Sequence, residues 1–196
     1  MTDKAYQRIR ALSGWLTIAG RSHQCSKSSI EELKTLGRGT FGHVFKARCN
    51  HTNSIMAIKK LIILDRKEYK SAVTDVAVSI EAANCPNIVK FYGCFVDEAE
   101  LLICMEMATG FDKVLTKAVR IPEKIIAKVA LSALCALQYL KEKKIMHRDI
   151  KPGNILIDYH GTIKLCDFGV CGRLIDTNWA ESFSVGSLAY LAVSDF

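Results

Sequence analysis

Between His147 and Gly169 the chain reads H-R-D-I-K-P-G-N-I-L, then I-D-Y-H-G-T-I-K-L, then C-D-F-G. The first run puts a carboxylate (Asp149), an ammonium (Lys151) and an amide (Asn154) on one short loop. The last adds a second carboxylate, Asp167, beyond two short apolar runs that read as a hairpin. In-line transfer of a phosphoryl group needs a base or orienter for the attacking hydroxyl, oxygen ligands for Mg2+ and a cation near the moving group. Asp149, the pair Asn154 and Asp167, and Lys151 are of the right types for those tasks.

Phosphates also need a cradle. Gly37, Gly39 and Gly42 in G-R-G-T-F-G let a backbone approach phosphate oxygens without Cβ clashes. A dinucleotide-binding fold would follow such glycines with a helix and an acidic residue about 20 positions on. Here V-F-K-A-R-C continues as a strand. In the next strand, I-M-A-I-K-K-L, Ala57 and Lys59 are two apart and share a face, with Met56 and Ile58 on the other. An alanine leaves room for a flat ring and a lysine beside it can hold phosphate.

Elements must carry these residues. Glu31 to Leu64 reads as three strands joined by short loops, and I-V-K-F-Y-G-C-F-V with E-L-L-I-C-M-E-M supplies two more. The spacing of Val73, Val76 and Ile80 predicts a helix over 66–83. Pro122 opens the longest predicted helix, running to about Lys143, with Ile126, Val129, Ala130, Ala133, Leu137 and Leu140 as its apolar stripe. Residues 1–29 have no clear period and read as a tail.

The 196 residues suffice for one domain, or a domain plus tails, and 49% hydrophobic with 24% charged residues is a globular composition. The formal charge of +7 suits anionic partners such as nucleotide phosphates. No basic stripe interleaved with aromatics occurs, which argues against nucleic acid. The 8 cysteines include no C-x-x-C and no Cys/His pair at zinc spacing, and most sit in apolar runs, as expected in a reducing, cytoplasmic compartment. No apolar run approaches the ~20 residues of a membrane span.

From about Ile30 to about Tyr190 the chain resembles protein kinases, through G-R-G-T-F-G-H-V, M-A-I-K, H-R-D-I-K-P-G-N and D-F-G. I-C-M-E, G-F-D-K, I-P-E-K-I and C-D-F-G-V-C-G-R-L-I-D narrow the resemblance to dual-specificity MAP kinase kinases, and Asp75 and F-D-K lean to the stress-activated branch. The resemblance implies an α+β fold, with a five-stranded antiparallel N-lobe and a helix over 30–107 and an incomplete, mainly helical C-lobe over 108–196. It implies ATP and Mg2+, a MAP kinase as substrate and an upstream MAP kinase kinase kinase. ATP would meet Leu36, Gly37, Arg38, Gly39, Thr40, Phe41, Gly42, Val44 and Ala57. Lys59 would hold the α- and β-phosphates and pair with Asp75. Met105 would stand at the back of the pocket, the backbone of Glu106 and Met107 would bond adenine, and Leu156 would close the ring from below. Asp149 would accept the hydroxyl proton, Lys151 would offset charge, and Asn154 and Asp167 would hold the metal. His147 would be structural, near Phe168. Thr177 and one of Ser182 or Ser184 would take activating phosphates, received by Arg148. Lys4, Arg8 and Arg10 before Leu16-Thr17-Ile18 resemble a MAP kinase docking peptide; an ordinary disordered or weakly helical tail is the other reading.

The chain departs from the family in places. Asp75 replaces glutamate and is shorter by roughly 1.5 Å, so its helix must pack closer. Ser79 falls where an apolar residue is usual. Ser187 replaces the threonine usual at its place, and after G-S-L-A-Y-L-A, Val193 and Ser194 stand where proline and glutamate are expected. With the lobe cut short, the helix after Pro122 is expected to leave apolar surface uncovered. Two functions follow: a MAP kinase kinase, or a truncated module that binds nucleotide or a partner and transfers nothing.

Overall fold

A computed structural model describes residues 2–39, 42–97, 99–118, 120–173, 187 and 190. The chain divides into two compact units, Met1–Ile80 with Lys90–Met107, and Glu81–Val89 with Ala108–Phe196.

Among its described residues the first unit holds a seven-stranded sheet, ordered β2-β1-β6-β7-β5-β4-β3. β3 (Ile30–Gly39), β4 (Gly42–Cys49), β5 (Ser54–Ile62), β6 (Phe91–Asp97) and β7 (Glu100–Met105) are the five strands expected. Alternation decides their faces. In β5, Met56 and Ile58 are fully buried and join Phe45, Ala47, Leu102 and Cys104 in one core. Leu61, Leu101 and Ile103 face the other way, against α2 (Arg66–Glu81) through Ala72, Val73 and Val76. α2 starts where D-R-K-E offers a reciprocal cap: Asp65 Oδ1 accepts from the Glu68 amide at 2.7 Å, and Glu68 Oε2 accepts from the Leu64 amide at 2.7 Å.

The N-terminal segment differs from a tail. α1 (Thr2–Leu12) is followed by a hairpin, β1 (Trp15–Ile18) with β2 (Arg21–Gln24), and β1 pairs with β6 at Leu16 and Gly93. Leu16 is fully buried in the core that holds Met56 and Ile58, and Ile9 is buried with Val73 and Val76. Gly93 permits the crossing, because a Cβ there would lie 2.1 Å from the Trp15 carbonyl oxygen. The Leu16-Thr17-Ile18 run read as a docking peptide is thus sheet, with its leucine enclosed.

In the second unit α4 (Glu123–Glu142) is the long helix, with Pro122 at its cap rather than inside its first turn. Val129, Ala133, Ala136 and Leu140 are its buried residues. Ile126 and Ala130, expected in the buried stripe, are exposed, and so are Leu131 (64%) and Leu134 (62%). Two apolar faces exist on this helix and one of them is uncovered. α3 (Phe111–Lys117) follows β8 (Thr109–Gly110), which pairs with β10 (Ile155–Ile157); β10 pairs in turn with β11 (Ile163–Leu165). β9 (Ile145–Met146) pairs with β12 (Gly172–Arg173).

Leu16→Ala should cost about 2–5 kcal/mol of unfolding free energy, as a core leucine does, whereas Leu134→Ala should stay within about 0.5 kcal/mol. Urea unfolding of both variants checks this; equal, small effects would return residues 1–29 to a tail.

Candidate active site

Register carries the first group of side chains. Val44 pairs with Gly37 on one side and with Lys59 on the other, and Ala57 pairs with Met105. Partners across a ladder share a face, so Val44, Ala57, Lys59 and Met105 stand on the side of the sheet that carries α2. Lys59 Nζ lies 2.6 Å from Asp75 Oδ2, joining β5 to α2, and the aspartate side chain is only 6% exposed. The shorter acid does reach. The residues that α2 buries around it are Ala72, Val73, Val76, Val78 and Ser79, all small. Ser79, 5% exposed, is enclosed despite its hydroxyl.

Two glycines of the loop differ in what they allow. At Gly42 a Cβ would lie 1.9 Å from the Lys60 carbonyl oxygen, so the fold itself demands glycine. At Gly37 a Cβ would meet nothing within 4 Å. Leu36 is half-buried and Arg38 exposed; Gly39 closes the β3–β4 ladder against Gly42. Thr40 and Phe41 lie outside the described residues. Glu106 donates its amide to the Lys90 carbonyl at 3.0 Å and accepts from the Lys90 amide on its carboxylate at 2.7 Å. Its N–H is therefore engaged within the sheet, and its carbonyl is the backbone group to consider for adenine. Met105 and Met107 are half-buried, and Met105 also packs on the core under α2.

The second group lies in the second unit. The β10–β11 hairpin turns through D-Y-H-G, with Asp158 Oδ1 accepting the His160 and Thr162 amides at 2.9 Å each. On its far side Leu165 donates to the Asn87 carbonyl and accepts from the Val89 amide. The Cys166 amide donates to the Asn154 carbonyl at 3.0 Å, which places Asn154 and Asp167 at the same end of the hairpin. Asp167 takes φ +67° and Arg148 the same value, left-handed backbone at the two ends of the machinery. Leu156, half-buried, pairs with Gly110 and Lys164.

Asp149 accepts four hydrogen bonds on its carboxylate. Its Oδ2 accepts from Lys151 Nζ at 2.7 Å and from Asn154 Nδ2 at 2.8 Å. Its Oδ1 accepts from the Ser187 hydroxyl at 2.7 Å and the Ser187 amide at 3.1 Å. Four donors fill the roughly four lone-pair sites of a carboxylate. Burial alone would raise its pKa, but bonds from Lys151, Ser187 and Asn154 together bring it below the ordinary value. The stability this contributes is present above the unfolded pKa and lost as pH falls through the folded one. Lys151 also donates to the Ser187 hydroxyl at 2.8 Å. Ser187 entered the sequence reading only as a replacement for threonine, and G-S-L-A-Y was its one signal.

His147 is 2% exposed and its ring lies edge-on to Phe168, centroids 5.4 Å apart. Its Nδ1 accepts from the Asp149 amide at 3.3 Å, leaving Nε2 to donate to the Cys166 carbonyl at 3.1 Å. That is a neutral imidazole bracing the loop. Arg148 folds over Gly172, where a Cβ would lie 2.3 Å from its guanidinium carbon. Thr177, Ser182 and Ser184 lie outside the described residues. Hard oxygens on Asn154 and Asp167 suit Mg2+ in donor type, and their shared end of the hairpin fits a common ion.

A profile of the protein kinase domain family matches residues 30–193. Among curated relatives, dual specificity mitogen-activated protein kinase kinase 7 of Rattus norvegicus is 40% identical over 194 residues, 97% of this chain and 46% of its own length. Its Homo sapiens counterpart is 39% identical over the same share of each chain. The mitogen-activated protein kinase kinase hemipterous of Drosophila melanogaster is 41% identical over 195 residues, 16% of its length. The chain spans under half the length of these relatives.

Gly37→Ala should leave stability within about 0.5 kcal/mol of the parent, and Gly42→Ala should lose about 1–3 kcal/mol. Thermal unfolding without nucleotide checks the contrast; equal losses would mean that Gly37 too is glycine for packing.

Proposed function

Because the chain belongs to the protein kinase domain family, we propose that it transfers the γ-phosphate of ATP to Ser/Thr and Tyr of a MAP kinase activation loop, in a stress-type cascade under an upstream MAP kinase kinase kinase. One observation carries the reading: a carboxylate, an ammonium and an amide meet within hydrogen-bond distance at Asp149, Lys151 and Asn154. The 40% identity to a dual specificity mitogen-activated protein kinase kinase supports the substrate class.

In this reading the first unit serves the nucleotide. Lys59, fixed by Asp75, holds the α- and β-phosphates; the backbone at Gly37, Gly39 and Gly42 covers them; Val44 and Ala57 take one face of the ring, with Met105, the Glu106 carbonyl and Met107 along its edge. The second unit serves the acceptor. A substrate hydroxyl enters by displacing one of the four donors on Asp149, and its proton passes to the freed oxygen. Lys151 shifts from Asp149 and Ser187 to the charge on the moving phosphoryl group. Asn154 and Asp167 hold Mg2+, which when bound offsets charge on the phosphate oxygens. Phosphate on Thr177 and on Ser182 or Ser184 is received by Arg148. No helix among the described residues is long and apolar enough to cross a membrane; the cytoplasm is where such a cascade would work. A second reading, a nucleotide- or partner-binding module without transfer, is favoured by the exposed face of α4 around Leu131 and Leu134.

Incubated with ATP, Mg2+, an upstream kinase and a MAP kinase, the chain should place phosphate on the MAP kinase, and Asp149→Asn should cut that rate at least about 100-fold, the scale of a lost general base. Nucleotide-dependent stabilisation with no phosphate on the MAP kinase would decide for the binding module.

A further inference from the structure

Two thiols that the proposed chemistry does not use face each other. Cys25 follows β2 and Cys49 ends β4; they are 8% and 0% exposed, and their Sγ atoms lie 3.7 Å apart. Both are held from several sides. The Cys25 amide donates to the Gly14 carbonyl at 2.7 Å, and the Asn50 amide to the Ser29 carbonyl at 2.8 Å. Between them Lys27 Nζ reaches Asp97 at 2.5 Å and Glu100 at 2.8 Å. The His23 and His51 rings stand 6.5 Å apart at centroids. Yet among the described residues no group of three or more His, Cys, Asp and Glu is placed to hold a metal ion, so the pair is read as thiols.

The two sulfurs are not equivalent. Burial and the neighbouring Cys49 push the Cys25 thiol up to about 11. Burial also opposes the Cys49 thiolate, but the Thr52 and His51 amides and the Cys25 thiol outweigh it and bring this thiol below its ordinary value. Cys49 is thus the better nucleophile and Cys25 the resolving group.

We infer that Cys25 and Cys49 form a reversible disulfide site, through which hydrogen peroxide cross-links the N-terminal hairpin to strand β4. The Cys49 thiolate attacks one peroxide oxygen; an S–O bond forms, the O–O bond breaks, and the leaving hydroxide takes a proton to become water. Cys25 sulfur then attacks the Cys49 sulfenic acid; the S–S bond forms, the S–O bond breaks, and hydroxide leaves with the Cys25 proton as a second water. Two thiols lose two electrons and peroxide gains them. The sulfurs must close from 3.7 Å to about 2.0 Å. The link would tie α1 and the hairpin to β4, by a covalent bond in place of packing alone.

The test maps thiols in the folded 196-residue chain after hydrogen peroxide, alkylation and digestion. The expected result is a Cys25–Cys49 linked peptide pair lighter by two hydrogens, lost on adding dithiothreitol and absent from Cys25→Ser and Cys49→Ser. Cleavage within residues 1–24 by a protease should slow in the oxidised chain. Free, alkylated Cys25 and Cys49 under conditions that oxidise the exposed Cys135 would overturn the proposal. So would bound Zn2+ that shields both thiols until a chelator removes it. The mapping needs only the unaltered chain, so a misfolded serine variant does not spare the proposal.

Discussion

An aspartate can meet a strand lysine only if its helix comes in close, and the first unit is built to allow that. Lys59 and Asp75 are 2.6 Å apart. A glutamate would span the gap from a helix roughly 1.5 Å further out. The neutral side chains that α2 buries are Ala72, Val73, Val76, Val78 and Ser79, with no leucine or aromatic ring among them; Tyr69 and Ile80 are only partly buried against the same core. Small volume on that face and a short acid in its centre are two sides of one constraint. Ser79 fits the same account: a larger apolar residue at this buried position would hold the helix away. Ile9 shares that core with Val73, Val76 and Cys94, and Tyr6 lies against Tyr69, so the N-terminal helix flanks α2 on the same face of the sheet.

In the second unit a similar economy governs Asp149. Its four donors come from residues two, five and 38 positions away, the last being Ser187. The same contacts that keep the carboxylate ionised also occupy it. In the proposed reaction a hydroxyl substrate would compete with Ser187, whose oxygen sits 2.7 Å from Oδ1. His147, neutral and enclosed, holds the loop from behind through the Asp149 amide and the Cys166 carbonyl.

The residues proposed for the chemistry stand out in the sequence because type and spacing constrain them: H-R-D-x-K-x-x-N, D-F-G and M-A-I-K each name a charge and its place. The five central strands were readable because alternation persists over six to ten residues. The hairpin was not. W-L-T-I and R-S-H-Q are four residues each, too short for a period, and what seats them is Gly93, a residue nearly 80 positions on that shows its purpose only in the crossing. On α4 periodicity located apolar residues, but it does not say which apolar face meets protein; Ile126 and Ala130 went to the open side. The reciprocal cap D-R-K-E at α2 was present in the sequence and unread. Ser187 had only similarity to threonine to announce it, since its partner, Asp149, is distant in sequence.

The coupling between Lys59 and Asp75 tests the closeness of α2 most directly. A double-mutant cycle with Lys59→Met, Asp75→Asn and both together, read by urea unfolding, isolates it. The account predicts that the double variant loses less than the sum of the singles by about 1 kcal/mol or more, because each single change strands a partner inside the protein. Single effects that add within about 0.3–0.5 kcal/mol would contradict it.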